Sequence, residues 1–284
     1  MTRVNRRAAV LGSPIEHSLS PALHRAAYAA LGLESWEYDR YEVTEEDFAN
    51  FVSACGQEWA GLSLTMPLKQ VALQVVDVVE PLAEVVGAVN TLLFSPGGLK
   101  VGANTDVYGI VEAVTQARAE VAEAPRTGVI IGGGATAASA VAALGQLGIT
   151  APAILVRSLG RAGTVIRAAT SMGVTPRYLT LGSAEAVEAI QRAEVLISTI
   201  PGGASDQLCE ALPQELTASQ TVLDVIYQGW PTALPRTWGE RGGTVAPGYD
   251  MLLYQAAEQV RLMTGEQAPV EAMRTALLSA LKLV

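Results

Sequence analysis

Histidine, cysteine and lysine are all scarce in this sequence of 284 residues. Histidine occurs only at His17 and His24, and cysteine only at Cys55 and Cys209. The two cysteines lack the short spacing of a metal-binding pair, and with the two histidines they match no recognised set of metal ligands. We therefore expect no metal, and the low cysteine content favours a reduced, cytoplasmic location.

Positive charge is also in short supply. The chain has 19 lysines and arginines against 28 acidic residues, which gives a net charge of -9 and a pI near 4.8. Such a protein repels nucleic-acid phosphates and anionic membranes, so neither is an expected partner. Arginines near the N-terminus precede a short apolar stretch, but Gly12-Ser13-Pro14 interrupts it, and no signal peptide is expected.

A run without charge extends from Arg126 to Arg157, yet its pattern is not that of a membrane span. Glycines and Pro152 divide it into a strand at 127–131, a helix at 135–147 and a strand at 153–156. Each piece is too short to cross a bilayer. Continuous apolar strands of this kind are typical of a buried parallel sheet with helices packed on it.

Strand and helix patterns alternate along most of the chain, which indicates an α/β protein with parallel sheets. The first part predicts strands at 8–11, 37–42, 61–64 and near 88–93, with helices at 21–31, 45–54 and 67–76. A second α/β set follows, and the tail predicts helices at 251–263 and 270–281. We expect a first domain at 1–106, completed by 248–284, and a Rossmann-type domain at 107–247.

The glycine-rich segment after the strand at 127–131 has the form of a dinucleotide-binding loop. Gly132, Gly134 and Ala137 occupy the positions of G-x-G-x-x-G/A between a strand and a helix. Glycines there allow backbone N–H groups to approach a pyrophosphate at the helix N-terminus. The alternative is a glycine-rich turn without a ligand. The residues predicted to contact the cofactor here are Gly132, Gly133, Gly134, Ala135, Thr136 and Ala137.

The residues after the next strand favour NADP over NAD. NAD sites place an acid about 20 residues beyond the first glycine, but no acid occurs from Gly132 to Ala184. Arg157 and Arg161 follow the strand instead, with Ser158 between them, and two guanidiniums can grip a 2′-phosphate. The alternative is a pair of solvated surface arginines.

Lys69 stands in an unfavourable place for a purely structural cation. Pro67 is typical of the first position of a helix, which puts Lys69 in the first turn, where the helix dipole disfavours an ammonium. A nearby anion or a lowered pKa would suit proton transfer at an alcohol or carbonyl. The alternative is a solvated surface lysine. Asp106, for its part, could simply cap the following helix.

Several segments, in order along the whole chain, resemble the shikimate dehydrogenase family. They are residues 12–24, the lysine segment 61–69, the asparagine segment 87–91, the Asn-Thr-Asp segment 102–109, the glycine loop from Gly132, and segments 198–201, 224–227 and 248–255. The sequence departs from the family's commonest pattern at Arg25, Ser63, Val156 and 228–231. Those departures remove no proposed catalytic group.

The resemblance implies a reversible reduction of 3-dehydroshikimate to shikimate by NADPH, in the aromatic amino acid pathway, at a cleft between the two domains. Lys69 and Asp106 would form the catalytic pair. Ser18 and Ser20 would bind the substrate carboxylate, with Tyr227 near it. The ring hydroxyls would be held by Thr65, Lys69, Asn90, Asp106 and Gln255. Further cofactor contacts would come from Thr199, Ile226, Gly248 and Met251. A monomer or homodimer is expected.

Two other readings of the sequence stay open. A quinate/shikimate dehydrogenase using NAD would need an acid after the second strand of the Rossmann-type domain, where this chain has Arg157. A catalytically silent NADP-binding regulator would lose Lys69 or Asp106, and both are present.

Overall fold

Two six-stranded sheets organise the chain in this computed structural model, which describes residues 5–201 and 203–284 and, at Arg161, the backbone alone. The chain divides into two units. The first comprises the described part of Met1–Thr105 together with Leu252–Val284, and the second comprises Asp106–Met251. The predicted α/β class is confirmed, with one mixed sheet and one parallel sheet.

The first unit contains strands β1 to β6 and helices α1 to α3, with two helices from the tail. In chain order these are β1 (Arg6–Gly12), α1 (Ser20–Ala30), β2 (Trp36–Glu42), α2 (Glu45–Ser53), β3 (Trp59–Leu64), β4 (Val78–Val79), α3 (Pro81–Val86), β5 (Thr91–Phe94) and β6 (Lys100–Ala103). The strand order is β2-β1-β3-β5-β6-β4. Every residue of β3 is buried, because both faces of this central strand are covered.

The second unit carries the remaining strands and most of the remaining helices. They are α4 (Asp106–Ala117), β7 (Gly128–Ile131), α5 (Ala135–Gln146), β8 (Ala153–Val156), α6 (Gly163–Ser171), β9 (Arg177–Thr180), α7 (Ala184–Gln191), β10 (Val195–Ser198), β11 (Thr221–Asp224), α8 (Ala233–Glu240) and β12 (Thr244–Ala246). The strand order is β12-β11-β10-β7-β8-β9, and all the pairs are parallel. Strands β7, β8, β10 and β11 are buried along their full length.

The two tail helices are α9 (Gly248–Thr264) and α10 (Val270–Ala280). Helix α10 packs against α1, and Met263 near the end of α9 joins the core formed by Val10, Tyr28 and Tyr38. The expectation that the tail folds back on the first domain is therefore confirmed. Within the described ranges, no helix is both long and apolar enough to cross a membrane.

The prediction of a helix at 67–76 is wrong. Turns occupy residues 66–70, and only a short 3₁₀ segment, Val71–Gln74, follows. The Lys69 carbonyl, which would accept from Leu73 N–H in an α-helix, accepts from Val89 N–H at 2.8 Å, while Leu73 N–H bonds to the Gln70 carbonyl at 3.3 Å. The argument that placed Lys69 at a helix N-terminus falls with that helix.

The expectation of parallel sheets holds throughout the second unit, whereas the sheet of the first unit is mixed. Strand β5 runs antiparallel to both of its neighbours, β3 and β6. A loop of five residues, 95–99, joins β5 to β6, and such a short connection suits an antiparallel pair, whereas parallel neighbours need a long crossover. The last strand predicted in the first part ends near residue 93, so β6 was not predicted.

Candidate active site

Asn90 is the centre of a buried polar cluster in the first unit. Its side-chain oxygen accepts from the Thr105 N–H at 2.8 Å and from the Thr91 hydroxyl at 2.9 Å. Its side-chain nitrogen donates to the Thr105 hydroxyl at 3.0 Å and to Gln255 Oε1 at 3.4 Å. Since a backbone N–H can only donate, the Thr105 contact identifies that side-chain atom as the oxygen of the amide. Two predicted substrate residues, Asn90 and Gln255, thus meet here, together with Thr105, which directly precedes Asp106.

The predicted carboxylate residues, Ser18 and Ser20, lie on the loop after β1 and at the start of α1. The Ser18 hydroxyl accepts from the Ser20 N–H at 3.4 Å, and the Ser20 side chain is buried. This contact orients the Ser18 hydroxyl oxygen towards the helix start, where backbone N–H groups lack intrahelical partners. The pair therefore lies at a helix N-terminus, which favours an anionic ligand.

His24 lies one turn into α1 and contacts the first residue of that helix. Its Nδ1–H donates to the Ser20 carbonyl at 2.9 Å, and its ring stacks on Tyr38 with centroids 3.9 Å apart and an interplanar angle of 15°. The ring is 0% exposed, and burial lowers the pKa of His24 to about 4, against the smaller opposing effect of the Ser20 hydrogen bond. His24 is therefore neutral near pH 7, with Nδ1 carrying the proton.

Thr65 and Lys69 follow the buried strand β3. The Thr65 N–H donates to the Leu11 carbonyl at 2.9 Å, and the Thr65 carbonyl accepts from Leu68 N–H at 2.8 Å, which closes a turn before Lys69. Lys69 is half-buried, and its backbone is tied to Val89 next to Asn90. Both predicted residues therefore stand at the carboxyl end of β3, in the same unit as the Asn90 cluster.

Asp106 is the first residue of α4, in the second unit, and it is buried. It follows Thr105 directly, and Thr105 N–H is one of the donors to Asn90. A carboxylate in the first turn of a helix interacts favourably with the helix dipole.

The glycine loop of the second unit joins β7 to α5. Gly132 has φ +129°, and a β-carbon there would come within 2.1 Å of the Thr199 hydroxyl. Gly134 immediately precedes α5, and no atom lies within 4 Å of the place where its β-carbon would be. Strand β7 lies between β8 and β10, so the loop stands where the strand order reverses. Nucleotides bind at this point in open α/β sheets.

The other predicted cofactor residues occupy neighbouring strand ends of the same sheet. Arg157 and Ser158 are exposed directly after β8, Thr199 follows β10, and Ile226 lies two residues beyond β11. The predicted role of the Arg161 side chain lies outside the described residues. Because all six strands are parallel, their carboxyl ends share one edge of the sheet.

Gly248 brings the start of α9 against the chain that follows β11. A β-carbon on Gly248 would lie 2.2 Å from the Asp224 carbonyl and 2.9 Å from that of Ile226, so only glycine fits. Met251 is buried in the same helix. Tyr227 is half-buried, and burial raises its pKa, which keeps the phenol protonated and able to donate.

Both ends of the chain match models of one protein family. Residues 10–92 match the shikimate dehydrogenase substrate binding domain, and residues 248–278 match the shikimate 5′-dehydrogenase C-terminal domain. A shikimate dehydrogenase (NADP(+)) of Methanosarcina acetivorans is 34% identical over 280 residues, which cover 96% of this chain and 98% of the relative. The chain belongs to the shikimate dehydrogenase family.

Solved structures agree with this assignment. A shikimate 5-dehydrogenase from Mycobacterium fortuitum is 43% identical, with a TM-score of 0.85 over 97% of this chain and 99% of that one. A shikimate 5-dehydrogenase from Thermus thermophilus, in complex with NADP(H) and shikimate, is 30% identical, with a TM-score of 0.82 over 97% and 99% of the two chains. The resemblance inferred from the motifs is thereby confirmed.

Sequence reasoning missed a second buried polar group beside Asn90. Gln259 lies one turn after Gln255 on α9, and its amide nitrogen donates to the Thr91 hydroxyl at 3.0 Å and to the Asn90 carbonyl at 3.3 Å. Its oxygen accepts from Ser63, one of the departures from the family's commonest pattern, at 2.8 Å. A glutamine four residues after Gln255 on an otherwise apolar helix face was the available signal.

Proposed function

We propose that Lys69 and Asp106 perform the proton transfer of a reversible reduction of 3-dehydroshikimate to shikimate. The chain is an NADP-dependent oxidoreductase of the shikimate dehydrogenase family, and family membership rests on similarity over nearly its full length. This reaction belongs to the aromatic amino acid pathway. The first unit would hold the substrate and the second the cofactor.

The observation that carries the proposal is the buried Asn90 cluster. Asn90 is 1% exposed, and the oxygen of its amide accepts from Thr91 and Thr105, so a ligand at Asn90 would bind through the amide nitrogen by replacing one of its present partners. Gln255 Oε1 lies 3.4 Å from that nitrogen. Convergent, preoriented donors and acceptors of this kind suit a ring that carries several hydroxyls, because each buried group needs a partner.

The opposite end of the substrate would lie against Ser18 and Ser20. A carboxylate there would accept hydrogen bonds from the two hydroxyls and from the start of α1, in a protein whose net charge of -9 otherwise repels anions. Tyr227, kept protonated by burial, would donate to the same group.

The glycine loop fits a dinucleotide. The space beside Gly134 leaves the start of α5 accessible to a pyrophosphate, and Thr199 closes the other side of the loop against Gly132. Exposed Arg157 would bind the 2′-phosphate that distinguishes NADP from NAD, with Ser158 beside it. When bound, NADPH supplies the hydride to the ring carbonyl carbon.

Lys69 would donate a proton to the carbonyl oxygen as negative charge develops there, and it would accept that proton in the reverse reaction. Asp106 would hold the ammonium and the substrate hydroxyl in line for the transfer. Neither role needs a metal. We further propose that the enzyme acts in the cytoplasm. We also propose that it is a monomer or homodimer, which light scattering of the purified protein would test.

Turnover with matched substrates and cofactors tests the proposal. Purified protein is mixed with shikimate or quinate and with NADP⁺ or NAD⁺, and reduced cofactor is followed by absorbance at increasing pH. Shikimate with NADP⁺ should give the highest kcat/KM. Higher kcat/KM with quinate and NAD⁺ would identify a quinate dehydrogenase instead, and NADP⁺ binding without turnover would identify a silent regulator.

A further inference from the structure

A chain of buried hydrogen bonds runs through the first unit from Tyr38 to Asn90. The Tyr38 hydroxyl donates to Ser63 at 2.7 Å, and the Ser63 hydroxyl donates to Gln259 Oε1 at 2.8 Å. Gln259 Nε2 donates to Thr91 Oγ1 at 3.0 Å, and the Thr91 hydroxyl donates to Asn90 Oδ1 at 2.9 Å. Four separate elements, β2, β3, α9 and the start of β5, contribute to it.

Gln259 sets the direction of this chain. An amide nitrogen donates and cannot accept, so the bond from Gln259 Nε2 occupies a lone pair of Thr91 Oγ1. The single hydroxyl proton of Thr91 is then directed to Asn90 Oδ1. A second bond from Gln259 Nε2 to the Asn90 carbonyl, at 3.3 Å, holds the glutamine amide in that orientation.

We propose that Gln259 is a positioning residue that acts through Thr91 to present the Asn90 amide to the substrate as a hydrogen-bond donor. With Asn90 Oδ1 engaged by Thr91 and by Thr105 N–H, a substrate hydroxyl would be bound through Nδ2, where it would replace the long contact of 3.4 Å to Gln255 Oε1. The substrate hydroxyl at Asn90 therefore accepts there and directs its own proton to a different residue. This inference rests on the proposed function.

Burial makes the direction of the chain matter. The side chains of Ser63, Asn90, Thr91 and Gln259 are all nearly inaccessible to solvent, so water cannot replace a lost partner. An acceptor placed against another acceptor in such surroundings costs more than the loss of the hydrogen bond alone. At the far end of the chain, the Tyr38 ring stacks on His24, which donates to the Ser20 carbonyl, so the chain leads from the Asn90 cluster towards the proposed carboxylate site.

Gln259→Glu replaces one donor of this hydrogen-bond chain, Gln259 Nε2, with an oxygen. An ionised carboxylate accepts from both Ser63 and Thr91, so the Thr91 proton turns away from Asn90 and two acceptors face each other at that contact. A protonated glutamic acid can still donate, as the glutamine does, and burial raises the pKa of such a group. The KM for shikimate in this variant should therefore rise about tenfold as pH increases, relative to the unmodified enzyme. The KM for NADP⁺ should stay unchanged.

Glu258→Gln is the matched control. It exchanges the same two residue types one position earlier on α9, where Glu258 forms a surface ion pair with Arg261 at 2.6 Å. Its pH profile should follow that of the unmodified enzyme. Asn90→Ala should remove the effect of Gln259→Glu, so that the double variant shows no added pH dependence in shikimate affinity.

Thr91 offers a second test if Gln259→Glu does not fold. Thr91→Val keeps the shape and removes the hydroxyl, whereas Thr91→Ser keeps the hydroxyl and removes a methyl group. A positioning role predicts about a fivefold higher shikimate KM for Thr91→Val and a near-normal KM for Thr91→Ser. A packing role predicts the opposite order, which would overturn the proposal.

A readout without turnover separates this inference from the proposed function. Hydrogen exchange of the Asn90 side-chain amide, followed by NMR in the protein without substrate, should accelerate in Thr91→Val and not in Thr91→Ser. Equal exchange in the two variants would refute the positioning role even if the enzyme is active. Accelerated exchange in an enzyme that fails to oxidise shikimate would keep the hydrogen-bond chain and refute the proposed function.

Discussion

The hydroxyl of Thr199 fills the space beside Gly132 that a side chain would need. It would lie 2.1 Å from a β-carbon on Gly132, and both its hydroxyl and its backbone N–H donate to the Ile131 carbonyl at 2.9 Å. Thr199 is therefore held in place by the last residue of β7, and its hydroxyl cannot turn away from Gly132 without losing its bond to the Ile131 carbonyl. The glycine and the threonine together shape the loop at which the cofactor is proposed to bind.

Gly132→Ala should disable the loop. The new methyl group meets Thr199, and alanine is strained at φ +129°, so the turn must rearrange. We expect NADP⁺ affinity to fall by about 100-fold or more and the melting temperature to drop by several degrees. Isothermal titration with NADP⁺ and thermal unfolding measure the two effects.

Gly134→Ala is the matched comparison in the same loop. Its backbone has φ -91° and its surroundings are open, so alanine fits the fold without strain. The melting temperature should stay near that of the unmodified protein, while NADP⁺ affinity falls because the methyl group stands in the space proposed for the pyrophosphate. Unchanged NADP⁺ affinity in this variant would contradict the position proposed for the cofactor.

Arg157→Gln should weaken NADP⁺ and leave NAD⁺ nearly unaffected. The residue is exposed just beyond β8, and a charge-assisted bond to a 2′-phosphate contributes about 2 kcal/mol, which corresponds to a loss of about 30-fold. The control is Arg177→Gln. Arg177 is also exposed, but it is the first residue of β9. It therefore lies at the amino ends of the parallel strands, whereas Arg157 lies at their carboxyl ends. An equal loss in both variants would indicate a general charge effect.

The sequence predicted elements well where local signals bounded them. The strand predicted at 153–156 coincides with β8, because Pro152 and Arg157 delimit an apolar run. The helix predicted at 67–76 failed because the bond from Val89 N–H to the Lys69 carbonyl joins segments 20 residues apart, which no local pattern encodes. Gln259 was missed for the same reason, since its partner Ser63 lies 196 residues away along the chain.

His24 should make the protein sensitive to acid. Its pKa is about 4 when folded and near 6.5 when unfolded, so the unfolded state binds its proton first as pH falls. Stability is therefore lost between pH 6.5 and 4, by about 3 kcal/mol for this one group. In His24→Phe, which keeps a ring against Tyr38, the free energy of unfolding should be lower at pH 7 but should vary less with pH.

His17→Gln is the control for this measurement, because it removes the exposed imidazole and leaves the buried one in place. Equilibrium unfolding in urea at several pH values should show the steep acid loss in the unmodified protein and in His17→Gln. The same slope in His24→Phe as in the unmodified protein would mean that other groups cause the acid loss.

Lys69→Ala should lower kcat by about 100-fold or more while NADP⁺ binding is preserved, because it removes the proposed proton donor. Lys100→Ala serves as the matched lysine control, since Lys100 pairs with Asp77 at 2.9 Å at the start of β6. Asp106→Asn should be nearly as damaging as Lys69→Ala. If the two residues work as a unit, the double variant loses little more than either single variant. A loss equal to the product of the two single losses would show that they act independently, and normal kcat in Lys69→Ala would falsify the mechanism.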